Sequence, residues 1–298
     1  MLVRHSFKAR AARQVPSIAG LMDSVSESDL RSWVKRFSLP RHFLGQPQAN
    51  REAAETIANL FKDWGYDVSF QGQLYNVVAR PKMNAGLIQI VAAHFDSTAF
   101  TPGADDNASA VAAMLGCAKA VAAAKPKTPV VFVSFNREED GLLGSIDFVK
   151  NLTTAERRKI QCAHVLEMVG FATDKPNSQK IPPGLPIKAP TMGNFLGLLA
   201  NGDSADVMKR LLQNAKGYQP DLPTLGLHVL LGFEKFLPVL QRSDHAPFWQ
   251  AGIPSIMWTD TSEFRNPHYH LETDTPETLN YPFLRRVTQL LVATTMTA

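Results

Sequence analysis

The apolar runs of this sequence end in groups able to do chemistry. AAHFDS supplies His94 and Asp96, and PGADDNASA supplies Asp105 and Asp106. REEDGLLGS supplies the adjacent Glu138 and Glu139, and LEMVG supplies Glu167. Taken singly, each reads as a helix cap or a solvated loop acid. Taken together, crowded carboxylates repel one another unless cations neutralise them. Imidazole nitrogen with carboxylate oxygen is an ordinary ligand set for zinc, and two ions about 3.5 Å apart need a carboxylate between them. The set points to a metal cluster, although spacing alone does not say which residue bridges.

These groups need a frame that gathers strand ends. LIQIVAAHF at 87–95 is almost continuously apolar, as in a central strand buried on both faces. NASAVAAMLGCAKAVAAAK then reads as a helix, TPVVFVSF as a strand, LLGSIDFVKN as a helix and QCAHVLEMV at 161–169 as another buried strand. Upstream, SESDLRSWVKRF is a helix with Ser26 or Ser28 as its cap and Pro40 as its break. ANREAAETIANLFKDWG lines up Ala54, Ile57, Ala58, Leu60 and Phe61 on one face, with Gly65 at its C-terminal end. DVSFQ, LYNVVAR, FLGLLANG and IPSIMWTD read as strands, and SADVMKRLLQNAKG and YPFLRRVTQLLVATT as helices. Residues 1–25 show no strong period. The stretch 171–195, rich in proline and glycine, predicts a long loop at the rim of the site. The alternation predicts an α/β fold, a single domain with a mostly parallel mixed central sheet flanked by helices. Ligands in such sheets lie beyond the carboxyl ends of the strands, where the polar groups fall.

Composition narrows the partners. The 298 residues carry a formal charge of +4, but the positive residues are scattered. Only RHSFKARAAR is locally basic, and it holds no base-reading motif, so no nucleic-acid partner is expected. Cys117 and Cys162 sit in apolar patterns and read as buried free thiols. Uncharged runs such as LPTLGLHVLLGF are too short for a membrane segment. No apolar run follows the basic N-terminal residues, so a cytoplasmic protein is expected, with an exported form lacking its leader left open. Oligomeric state is left open.

HFDS, PGADDNAS, EEDGLLGS, SDHAPFW and NPHYHLETDT complete a pattern. From about residue 50 to its end, the chain resembles the di-zinc exopeptidase family of bacterial leucyl aminopeptidases and glutamate carboxypeptidases, with glutaminyl cyclases as distant relatives. The resemblance implies a zinc-exopeptidase (phosphorylase/hydrolase-like) fold, with 1–45 as an N-terminal extension and helix and 46–298 as the catalytic domain. It implies two Zn²⁺ per chain. His94 and Glu167 would hold one, Glu139 and His270 the other, and Asp106 would bridge, followed by a cis peptide. Glu167 stands where the family usually has aspartate; its extra methylene still lets the carboxylate reach an ion. Glu138 would be the general base.

Supporting residues are expected around these. Asp96, two residues beyond His94, suits the imidazole's second nitrogen. Asp274 is expected to brace the His270 region, and Asp105 to shape the turn that presents Asp106. Asp244 and His245 of SDHAPFW belong near the site, His245 being either a pocket hydrogen-bonding group or a structural histidine. His268 is expected at the rim. Trp249, Trp258 and Phe264 line a side-chain pocket or the core.

The activity implied is hydrolysis of the N-terminal peptide bond of short peptides by metal-activated water. Glu138 would take the water's proton and pass it to the leaving amine. A carboxypeptidase is the nearest alternative and needs a basic clamp, with Arg265 or Arg242 to serve. Hydrolysis of another amide is also open. A single-zinc glutaminyl cyclase fits the paired aspartates poorly. A non-catalytic scaffold would not need the base and every ligand position filled.

Overall fold

Central strands follow the continuous apolar runs, and helices follow the segments with one apolar face. The computed structural model describes residues 3–6, 10–83, 86–124, 126–185, 187 and 190–298. The basic segment at 4–13 and the loop at 171–195 therefore fall partly outside the described residues. In chain order the first elements are β1 (Val3–Ser6), α1 (Pro16–Asp23), α2 (Glu27–Phe37), α3 (Pro47–Asp63), β2 (Asp67–Gln71) and β3 (Asn76–Arg80). Next come β4 (Ile88–His94), α4 (Ala110–Ala122), β5 (Val130–Phe135), α5 (Leu143–Asn151), α6 (Thr154–Lys159) and β6 (Ile160–Glu167). The chain closes with β7 (Leu196–Ala200), α7 (Ala205–Tyr218), β8 (Thr224–Val229), α8 (His245–Gln250), β9 (Ser255–Thr259) and α9 (Tyr281–Thr297).

Among the described residues the strands form one nine-stranded sheet in the order β1-β8-β7-β9-β6-β4-β5-β3-β2. Its centre, β9-β6-β4-β5, is parallel throughout. The margins are largely antiparallel, with β7 and β8 parallel to each other. The parallel character expected of the sheet is thus concentrated where the buried apolar runs lie. From β4 the chain goes to β5 on one side and then crosses to β6 on the other, so β4 marks a switch in strand order. A crevice opens at the carboxyl ends of strands at such a point.

Alternate strand residues feed two layers. Val91, Ala93, Phe132, Leu166 and Trp258 face the layer holding α3, α4 and α9. Ile90, Ala92, Val131, Val133 and Val165 face Phe148 of α5 and Phe248 of α8. Alanine and glycine along α4 let it lie close to the sheet and to α9. Each fully buried Leu or Phe in these layers contributes roughly 1.5–3 kcal/mol. Ser26 caps α2, accepting a hydrogen bond from the Asp29 N–H. Gly65, at φ +90°, follows α3 in the left-handed conformation that favours glycine.

Two strands escaped the sequence reading. β1 is four residues long and pairs antiparallel with β8, whose own run was noted only as too short for a membrane. Neither carries a readable period, because an edge strand of four residues and a glycine-containing strand show too few alternations. Cys117 and Cys162 are buried free thiols. Among the described residues no helix is long and apolar enough to cross a membrane.

Candidate metal centre

Four segments carry the chemistry, each at the carboxyl end of a parallel strand. His94 is the last residue of β4 and Glu167 the last of β6, while Glu138 and Glu139 follow β5. Asp106 lies in the irregular turn Ala104–Ser109 that precedes α4. His270, at φ +57°, arrives from the distant segment between β9 and α9.

The turn around Asp106 depends on a glycine. Gly103 is left-handed at φ +61°, and a Cβ there would run into the main-chain carbonyl of Asp106. The Asp106–Asn107 peptide is cis, as the resemblance implied. Asn107 then pins β6 from both sides: its Nδ2 donates to the Leu166 carbonyl at 3.1 Å, and its Oδ1 accepts from the Met168 N–H at 2.9 Å. Sequence reasoning passed over Asn107, although it sits inside the quoted PGADDNAS motif.

Among the described residues, the atoms that could hold a metal ion fall into two groups, His94 with Glu138 and Glu167, and Asp106 with Glu139 and His270. Asp106 faces both: its Oδ1 is 3.4 Å from His94 Nε2 and its Oδ2 is 3.1 Å from His270 Nε2. His94 Nε2 is also 3.4 Å from Glu167 Oε2, and His270 Nε2 is 3.3 Å from Glu139 Oε2. Glu138 Oε2 stands further off, 3.9 Å from His94 Nε2. Donors held 2.0–2.1 Å from a tetrahedral zinc stand about 3.3–3.4 Å apart, which is the spacing of the closer pairs. His94 Nε2, Asp106 Oδ1 and Glu139 Oε1 are buried without a hydrogen-bond partner. Such orphans are costly unless a cation serves them. The residues present therefore fit a two-ion site.

The electrostatics follow from crowding. Burial, with the charges of Glu167, Asp244 and Glu139, pushes Glu138 well above the usual carboxylate range. Burial and the Asp106 charge carry Glu139 to about 7. Asp106 goes the other way: burial opposes it, but bonds to His270 and His94 hold it below its ordinary value. His270 rises to about 10 against the effect of burial, through its bonds to Asp106 and Glu139. Side-chain exposure is 1% for His94 and 38% for His270, so one group is deep and the other faces the opening.

The residues expected to support the site divide by what they touch. Asp96 lies behind His94, its Oδ1 3.4 Å from Nδ1. It also accepts from the Glu138 and Glu139 N–H groups, each at 3.2 Å. Asp274 braces the Asp106 turn with its carboxylate, which accepts from the Asp105 and Asp106 N–H groups at 2.9 and 3.1 Å, while its own N–H donates to the Leu271 carbonyl beside His270 at 3.0 Å. The reason is that two adjacent buried N–H groups need acceptors and a carboxylate offers two. Asp105 accepts from the Gly170 N–H and from Asn266 Nδ2, tying the turn to the segment after β6.

Asp244 is fully buried, and burial raises it to about 7. His245 turns out to be structural: its Nε2–H donates to the Leu240 carbonyl at 2.8 Å, and its ring stands edge-on to Trp249. Trp258 is a core residue whose Nε1–H donates to His164 Nδ1 at 3.3 Å, and Trp249 is likewise buried. Of the three aromatics, only Phe264 lines the cavity. His268 bonds Thr273 through Nδ1 at 2.9 Å and joins neither metal group. Two contributors went unseen. Ser243 donates to Glu167 Oε2 at 2.6 Å, and Tyr269 stacks on His270 with centroids 3.8 Å apart. Both lie in quoted motifs, but their partners are set by tertiary contact.

The two groups open into a cavity of about 550 Å³. Its far walls are apolar, from Phe195, Leu199, Leu227 and Met257, and Gln179 to Pro182 of the long loop form part of its rim. Arg242 lines it but pairs with Glu263 and donates to Tyr269. Arg265 is buried over Phe195 and donates to Gln179 Oε1.

Comparisons with known proteins agree with this geometry. The profile of peptidase family M28 matches residues 76–295. The chain is 32% identical over 251 residues to YfbL of Escherichia coli, an uncharacterized protein, covering 79% of this chain and 76% of YfbL. It is 30% identical over 211 residues to the aminopeptidase YwaD of Bacillus subtilis, covering 69% of this chain but only 40% of YwaD's length. The crystal structure of the Legionella pneumophila LapA aminopeptidase superposes with a TM-score of 0.73 at 17% identity, covering 97% of this chain and 77% of LapA. That likeness concerns the fold. With the profile match, the YfbL relationship and a two-ion donor set at the strand ends, the chain belongs to peptidase family M28 and is a metal-dependent exopeptidase.

Proposed function

We propose that the protein is an aminopeptidase that removes the N-terminal residue of short peptides with two zinc ions. The observation that carries this reading is Asp106, one carboxylate set between His94 and His270. His94, Glu167 and Asp106 would hold one ion, and His270 and Glu139 with Asp106 the other. When bound there, the ions would supply a water of lowered pKa and polarisation of the scissile carbonyl.

Glu138 acts as the general base. It is the acid furthest from the histidine of its own group, and its crowded surroundings favour accepting a proton. It takes the proton of the attacking water and delivers it to the departing amine. Asp96 orients His94 and, through two main-chain N–H groups, fixes the loop that carries both glutamates.

The carboxypeptidase reading loses support from the arginines. Arg242 is already paired with Glu263, and Arg265 is buried outside the cavity lining, donating to Gln179 and the Phe171 carbonyl. Lys180, also in the lining, is the position a carboxypeptidase would have to use. Zinc content per chain and hydrolysis of free-amine and N-blocked dipeptides test the choice. Two zincs with cleavage confined to free-amine substrates is the expected result. Preference for blocked peptides would replace it with a carboxypeptidase, and one zinc with cyclisation of N-terminal glutamine with a cyclase.

A further inference from the structure

Residues 39–50 span the connection from α2 to α3 and the first turn of α3, ahead of the profile match at 76–295 and across the boundary expected after residue 45. Arg41 in this strap is wholly buried. Its guanidinium is spent on main-chain carbonyls. Nε donates to Phe95 at 2.5 Å, Nη1 to Leu39 at 3.1 Å and Pro102 at 2.7 Å, and Nη2 to Gly103 at 3.1 Å. Phe95 directly follows His94, and Gly103 opens the turn that carries Asp106. One planar group thus ties together the two ends of the loop between these residues.

The rest of the strap repeats the pattern. The Arg41 N–H donates to Ser97 Oγ at 3.0 Å, and Gln46 Nε2 to the Ala99 carbonyl at 2.9 Å. Asn50 and Asn136 exchange amide hydrogen bonds at 2.9 Å in both directions, and His42 Nε2 is 3.1 Å from Asp140 Oδ1. The strap therefore grips the loop after β4 and the loop after β5 together. A buried charge bonded only to neutral carbonyls needs an offset elsewhere. Asp96, Asp106, Asp274 and Glu139 supply it, and burial lowers Arg41 only to about 10, leaving it charged at neutral pH.

We propose that Arg41 is a positioning residue of the metal centre, which sets the separation of His94 from Asp106 by clamping Phe95 and Gly103. The inference rests on the two-ion reading above. Lysine keeps the charge but not the planar fork that spans carbonyls on both sides.

The test uses the full chain stripped of metal, as wild type, Arg41→Lys and Gln46→Ala. Each is titrated with Zn²⁺ against a chromophoric chelator, and its denaturant unfolding is followed in parallel. Arg41→Lys is expected to bind at least one ion roughly 10–100-fold more weakly, with kcat falling more than KM rises. Gln46→Ala, which frees one point of the same loop, is expected to weaken binding by about tenfold. Unchanged zinc affinities in Arg41→Lys overturn the proposal even if its unfolding midpoint drops, because that is a purely structural role. If Arg41→Lys yields no folded chain, Gln46→Ala decides by the same criterion. A wild-type chain that binds no zinc overturns the two-ion reading, and the proposal with it.

Discussion

Glu138 and Glu139 are neighbours in the chain but belong to opposite halves of the centre. Glu138 Oε2 stands 3.9 Å from His94 Nε2, and Glu139 Oε2 stands 3.3 Å from His270 Nε2. Their main-chain N–H groups both bind Asp96, one to each carboxylate oxygen. With the backbone held there, the two side chains diverge, so adjacent residues can take different roles.

That divergence gives unequal outcomes for equal substitutions. Glu138→Gln is expected to keep close to the wild-type zinc content while turnover falls roughly a hundredfold or more. Glu139→Gln is expected to lose an ion as well as activity. Metal analysis beside kcat for both variants checks this, and full zinc in Glu139→Gln would remove Glu139 from the ligand set.

Asp274 should matter for stability as much as for catalysis. Asp274→Ala leaves the Asp105 and Asp106 N–H groups without their acceptor. Each buried orphan costs about 1–3 kcal/mol. Denaturant unfolding is expected to show a loss of roughly 2–6 kcal/mol, with Asp274→Asn recovering part of it.

Gly144 packs where no side chain fits. A Cβ there would strike the Asn136 carbonyl and lie 2.6 Å from Asn76 Oδ1. Asn136 is two residues before Glu138, so the strain reaches the catalytic loop. Gly144→Ala is expected to cost about 1–3 kcal/mol and to lower kcat. A variant with wild-type unfolding midpoint and activity would contradict this account of the GLLGS turn.

Acid should weaken the fold through His164. Burial lowers its pKa from 6.5 to about 4, and its Nδ1 accepts from the Trp258 indole. A histidine whose folded pKa is depressed binds protons more readily in the unfolded chain. Its contribution is therefore present above about pH 6.5 and lost as pH falls through about 4, on the order of 3 kcal/mol in all. Unfolding free energy measured at pH 7.5, 6 and 4.5 is expected to fall more steeply for wild type than for His164→Asn. Equal slopes would show that His164 does not carry the acid sensitivity.

The sequence by itself determined the central strands and the donor residues at their ends. Both are local: a strand buried on two faces must be continuously apolar, and the chemistry of a side chain comes with its identity. It also carried Gly103 and Gly144, within motifs whose shape depends on them. The edge strand β1 and its neighbour β8 were not legible, because four residues in one and a glycine in the other leave too few alternations to show a period. The partners of the donors were decided by tertiary structure. Asp274 reaches the Asp106 N–H across 168 positions of sequence, and Ser243 reaches Glu167 across 76. His245 stood in a motif near the site yet turned to a carbonyl in its own vicinity, and Arg41, outside every motif, lies behind His94 and the Asp106 turn. Hydrogen-bond demand explains the difference. A buried N–H or carbonyl takes whichever acceptor or donor the packed layers bring within about 3 Å, and no local pattern records which distant residue that is.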